Sequence, residues 1–105
     1  MKQVLNRAAL SVQISGEPDT GDFLAAYICI VPGQVERTRE VIEGLAFADY
    51  DADGKLLGIE LLDYCDPELL ADLVKDESEI VRSFIRWATP NQMAPVISLD
   101  TGNAL

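Results

Sequence analysis

Histidine is absent from the 105 residues. With it go the commonest general base, the usual middle member of a nucleophilic triad and the most frequent transition-metal ligand. Basic residues are scarce, 8 against 18 acidic, for a net charge of −10. A nucleic-acid binder needs a positive surface that displaces counterions from phosphate. Here only the small pairs Arg37/Arg39 and Arg82/Arg86 interrupt the scarcity, so no nucleic-acid partner is expected. An anionic membrane surface should repel the chain as well. No apolar run approaches the roughly 18 residues of a membrane-spanning helix; the longest, residues 23–31, has strand length. The opening MKQVLNRAALSVQIS lacks the sustained apolar stretch and small-residue cleavage site of a signal peptide. A cytoplasmic setting is therefore expected.

Cysteine is limited to Cys29 and Cys65. Both sit among apolar residues and are not spaced as a metal or redox pair. They read as small buried hydrophobes, kept reduced as cytoplasmic thiols are. Zinc would have to rely on these two plus carboxylates. No cofactor or metal and no catalytic constellation is expected. Glu60 and Asp63 are the nearest thing to paired carboxylates, but strand alternation sends them to opposite faces.

What is present is an ordinary globular composition, 49% apolar, long enough for one domain with its own core over residues 1–105. Residues 8–14 alternate, with Leu10, Val12 and Ile14 on one side and Ser11 and Gln13 on the other, as in a half-buried strand. A cluster of turn formers follows over residues 16–22. Residues 23–31 read as a central strand, apolar on both faces, ended by Pro32-Gly33. Residues 35–41 alternate loosely, Gly44 interrupts any helix drawn through them, and Leu45, Phe47 and Tyr50 suggest a third main strand. Residues 56–62 make a fourth. The fold class predicted is α+β: a four-stranded antiparallel meander over residues 1–63, followed by one or two amphipathic helices over residues 64–90, packed on one face.

Asp66-Pro67-Glu68 has the form of a helix start: a capping aspartate, proline at the first helical position and an acid for the dipole. Leu69, Leu70, Leu73 and Val74 then fall at helical spacing. Asp76 with Glu79 has the spacing of a capping box, and Ile80, Val81, Phe84, Ile85 and Ala88 continue the stripe until Thr89-Pro90 stops it. The stripes stay nearly in phase, so one long helix is the alternative to two. Trp87 lies off the stripe and reads as a partly buried core residue, or else as an interface anchor. Residues 91–105 form a tail, with a short strand expected at 94–99.

Residues 49–60, DYDADGKLLGIE, fit the D-x-D-x-D-G-x₅-E pattern of a calcium loop at every position. In an EF-hand, Asp49, Asp51 and Asp53 would each supply an oxygen, Glu60 would chelate with two, and Gly54 would make the sharp turn. Such a loop needs a helix on each side. Gly44 spoils the entering helix, Pro67 cuts the exiting one short, and Leu57, Ile59 and Leu61 have the period of a strand. A β-hairpin with its acids at the turn explains the same letters; a calcium-binding module using Asp49, Asp51, Asp53 and Glu60 is the alternative.

Residues 27–63 also resemble a small bacterial family, domain of unknown function 2283. The resemblance rests on Tyr27-Ile28, on Thr38-Arg39-Glu40-Val41, and on Asp49-Tyr50-Asp51-Ala52-Asp53-Gly54 continuing to Gly58-Ile59-Glu60-Leu61. It implies a β-rich core and a hairpin at the acidic loop, and it assigns no activity. Some members stand beside small toxin-like proteins, which implies an antitoxin role by association. The stretch from Asp66 onward is an extension the family does not usually carry. The functional expectation is a non-catalytic protein-interaction domain, acidic and cytoplasmic, forming a homo-oligomer, in the simplest case a homodimer, with a basic protein as a further partner.

Overall fold

A computed structural model describes residues 9–91 of the chain; the strand expected at 94–99 lies outside them. Five antiparallel strands form one sheet: β1 (Ser11–Gly16), β2 (Phe23–Cys29), β3 (Arg37–Ile42), β4 (Ala46–Tyr50) and β5 (Leu56–Leu61). A single-turn 3-10 helix, Pro67–Leu70, and one α-helix, α1 (Glu79–Ala88), complete the α+β architecture. No helix among the described residues is long and apolar enough to cross a membrane.

The expected four-stranded meander is corrected in two ways. The third strand expected from Leu45, Phe47 and Tyr50 is β4, and the loosely alternating residues before it form an additional strand, β3, the two reversing at Gly44. That glycine has φ of 68°, a left-handed conformation that costs a side-chain-bearing residue about 1 kcal/mol or more. The Gly44 N–H donates to the Glu40 carboxylate at 2.6 Å, which ties the turn to its own strand. The order is also not sequential: the strands lie β1-β2-β5-β4-β3. The chain leaves β2, crosses to the far edge, and works back so that β5 is inserted beside β2. The apolar character of β5 on both faces explains its central place: Leu56, Leu57, Gly58, Ile59 and Leu61 are all buried. The Leu57 carbonyl accepts from the Ile30 and Val31 N–H groups at 2.8 and 3.2 Å, which holds the departing chain against β5.

One face of the sheet carries Ala26 and Ile28 from β2, Ile59 and Leu61 from β5, and Ala46 and Ala48 from β4, all buried. Leu70, Val74, Val81 and Ile85 complete the same core. Each fully buried Ile or Leu contributes about 2 kcal/mol of transfer free energy, and small alanines on the sheet leave room for the larger residues above.

The helical region keeps the predicted start and loses the predicted length. The Asp66 side chain accepts from the Glu68 N–H, with Pro67 at the first position. The helix then lasts only Pro67–Leu70 and gives way to turns as far as Asp76. So short a segment cannot sustain α-helix alone; the burial of Leu70 and Val74 fixes its path instead. The α1 cap is Ser78, whose hydroxyl accepts from the Val81 N–H at 3.4 Å, rather than Asp76. The two segments are joined by an exposed Arg86–Glu68 ion pair, of small energetic weight at that exposure.

Candidate functional site

The acidic loop forms the turn between β4 and β5. The Asp51 carboxylate points into it, one oxygen accepting from the Asp53 N–H at 2.9 Å and the Lys55 N–H at 2.8 Å. The Asp51 N–H donates to the Lys55 carbonyl, and the Gly54 N–H to the Asp51 carbonyl; Gly54 takes φ of 84°. This is an Asx-type turn, in which an aspartate substitutes for a backbone acceptor. Two strands flank the loop, where an EF-hand has two helices.

Asp49 lies on the sheet and is engaged elsewhere. Its two carboxylate oxygens accept from the Tyr27 hydroxyl at 3.0 Å and the Thr38 hydroxyl at 2.6 Å. Asp53 is exposed, and so is Glu60, which faces Tyr27 and Phe47 in the strand register. The four candidate ligands are therefore not brought to one point. Among the described residues no group of three or more carboxylates or cysteines could hold a metal ion. Asp63 stands beyond the end of β5, its carboxylate accepting from the adjacent Tyr64 N–H.

The Tyr27–Asp49–Thr38 row depends on Gly58. Asp49 pairs with both Gly58 and Thr38, and Gly58 pairs with Cys29, two residues beyond Tyr27 on β2. The Tyr27 side chain crosses Gly58 so closely that an added Cβ would overlap its ring and hydroxyl. A glycine inside a strand often marks such an approach. The phenol thus spans β5 from β2 to reach β4, and Thr38 extends the row to β3. Burial pushes the Tyr27 phenol well above its ordinary range, aided by the hydrogen bond to Asp49 and the negative charges around it. Burial likewise raises the Cys65 thiol, with Asp66 adding to the effect. Both cysteines are free, Cys65 buried and Cys29 half-buried.

A second feature lies at the other end of the molecule. Where β1 turns into β2, the C-terminal end of α1 passes close by and leaves a cleft of about 380 Å³, lined among others by Ile14, Gly16, Phe23, Tyr64, Trp87 and Pro90. Phe23 and Tyr64 stack at 4.9 Å between ring centroids and form an aromatic wall. The Cys65 N–H donates to the Pro90 carbonyl at 2.8 Å, which fixes the helix end against the exit from β5. Trp87 is 76% exposed and Ile14 61%. Trp87 is thus not the partly buried core residue expected of it.

Residues 25–64 match the model of a family described as a protein of unknown function (DUF2283). Nothing among curated proteins or solved structures matches the chain. The DUF2283 segment takes in most of β2 and all of β3, β4 and β5, and so holds the whole Tyr27–Asp49–Thr38 row and the hairpin turn. The cleft is assembled at its border: Tyr64 is the last matched residue, whereas Ile14 and Trp87 come from β1 and α1 outside it.

Sequence reasoning missed the cleft and the Tyr27 row. The signal for the row was Gly58, a glycine in an otherwise apolar strand. For the cleft the signal was Trp87, off the buried stripe of α1 and exposed in the fold.

Proposed function

We propose that the chain is a non-catalytic interaction module whose contact surface is the cleft at Trp87. The observation that carries this reading is the exposure of Trp87 and Ile14 in the lining of a cleft that also holds the stacked Phe23 and Tyr64. Large aromatic side chains beside a concave apolar patch are the anchors of protein interfaces. The absence of histidine from the sequence and the internal engagement of Asp49 and Asp51 support a module rather than an enzyme or a calcium binder. A cytoplasmic setting, in which Cys29 and Cys65 stay reduced, fits the reading. The antitoxin role implied by the family resemblance would be one instance of it, with a toxin as the partner. At a net charge of −10, a second copy of the chain is disfavoured by repulsion and a basic partner favoured.

The test is retention of a partner from host extract on immobilised native protein and on the Trp87→Ser variant. A defined protein held by the first and released by the second is expected. Identical retention by both, or none by either, would contradict the reading.

A further inference from the structure

Resting on that reading, we infer that the cleft takes a basic segment of another protein, seating an apolar side chain against Phe23, Tyr64 and Trp87 while flanking lysines or arginines meet carboxylates around the rim. The apolar half of the argument is the lining itself. The charged half is the chain on either side of it. Gly16 and Gly21, both in the lining, bracket a tight turn closed by the Glu17 N–H on the Asp22 carbonyl and the Gly21 N–H on the Glu17 carbonyl. That turn carries Glu17, Asp19 and Asp22, the last two exposed. Tyr64, in the wall, follows exposed Asp63. Arg86 is the one basic residue next in sequence to the lining, and it is drawn away into its ion pair with Glu68. The cleft is thus an apolar slot with an acidic border, complementary to a cationic segment with an apolar anchor.

Trp87 is the only tryptophan in the chain, so its emission reports on the cleft. The full chain is titrated with a short synthetic peptide of central leucines flanked by lysines, beside one control with glutamates for the lysines and another with serines for the leucines. A saturable blue shift with the leucine–lysine peptide alone is expected, with affinity about tenfold weaker when salt is raised well above physiological strength. Replacing Ile14 by Ser, on an exposed site, should weaken binding while leaving the far-UV spectrum unchanged. Asp22→Asn with Asp63→Asn should weaken it by about fivefold and flatten the salt dependence.

Equal response to the serine control or to the glutamate control would overturn the inference, as would silence with all three peptides. In the free protein, Trp87 should be quenched freely by the neutral quencher acrylamide at every protein concentration. Shielding that is independent of concentration would mean the chain covers the cleft itself, and shielding lost on dilution would mean a second copy does; either result overturns the inference. If the peptides fail while Trp87-dependent retention of a host partner persists, the partner's chemistry is wrong and the interaction module stands. If both fail, the module falls too.

Discussion

The hairpin turn and the cleft are both bordered by aspartates, and they use them in opposite ways. At the turn, Asp51 and Asp49 aim their oxygens into the fold: one replaces missing backbone acceptors, and the other gathers hydroxyls from two strands. At the cleft, Asp19 and Asp22 stand exposed on a loop already closed by its own backbone, next to an apolar slot and an uncovered tryptophan. The same residue type therefore maintains structure in one place and offers charge in the other. A dense acidic motif is no guide to a binding site until the destinations of its oxygens are known.

The sharpest way to break this contrast is to disturb the row that absorbs Asp49. Gly58→Ala places a methyl 2.8 Å from Tyr27 Cε2 and closer still to the hydroxyl, forcing the ring off its glycine. Urea unfolding should show a loss of about 2 kcal/mol. Tyr27→Ala should cost less in the Gly58→Ala background than in the native protein, since the two residues share one contact. Additive losses would mean that the ring and the glycine act independently.

Asp51→Ala should come next, at about 1 kcal/mol, because the Asp53 and Lys55 N–H groups lose their acceptor. Asp53→Ala, two residues away in the same motif, should stay within about 0.5 kcal/mol. A calcium site would give comparable losses of calcium affinity at both positions.

A gentler effect is expected in alkali. The Tyr27 phenol ionises less readily folded than unfolded, so it adds stability that is fully present below the ordinary tyrosine pKa of about 10 and drains away as the pH rises above it. Urea midpoints should therefore fall faster between about pH 9 and pH 11 in the native protein than in Tyr27→Phe. Parallel curves would show that the phenol is not shielded. The smallest effect on stability belongs to the cleft: Trp87→Ser, at a side chain 76% exposed, should change unfolding by no more than about 0.5 kcal/mol while removing the docking surface. A large loss there would place Trp87 in the core.

Local signals in the sequence were mostly legible. The strand from Phe23, the strand from Leu56, the hairpin around Gly54 and the Asp66-Pro67 start all appear in the fold, and the model of the DUF2283 family covers the whole of the segment that resembled it. The first strand was placed slightly early, since the alternation of Leu10, Val12 and Ile14 continues into Ser15 and Gly16 by pairing alone. The β3–β4 turn was missed although Glu43-Gly44 stands between two β-prone runs, because residues 35–41 are too polar to alternate clearly. Edge strands such as β3 have little apolar pattern to show. Strand order was not legible, as nothing local states that the chain leaving Cys29 will cross to the far edge before β5 returns beside it. The second helix is legible in the stripe of Ile80, Val81, Phe84, Ile85 and Ala88, of which Val81, Ile85 and Ala88 are buried, but the residues before it carry a helical stripe without enough length to propagate a helix. The destinations of Asp49 and the cleft itself arise from long-range pairing and could not be read from spacing.

The most direct measurement is an amide shift map of the isotope-labelled full chain, titrated first with calcium and then with the leucine–lysine peptide. Calcium at millimolar concentration should leave Ala52, Asp53, Gly54 and Lys55 in place, and the peptide should move Gly16, Gly21, Tyr64 and the Trp87 indole. Saturable movement at Gly54 and Glu60 with calcium, and a cleft silent to the peptide, would reverse the assignment of the two acidic regions.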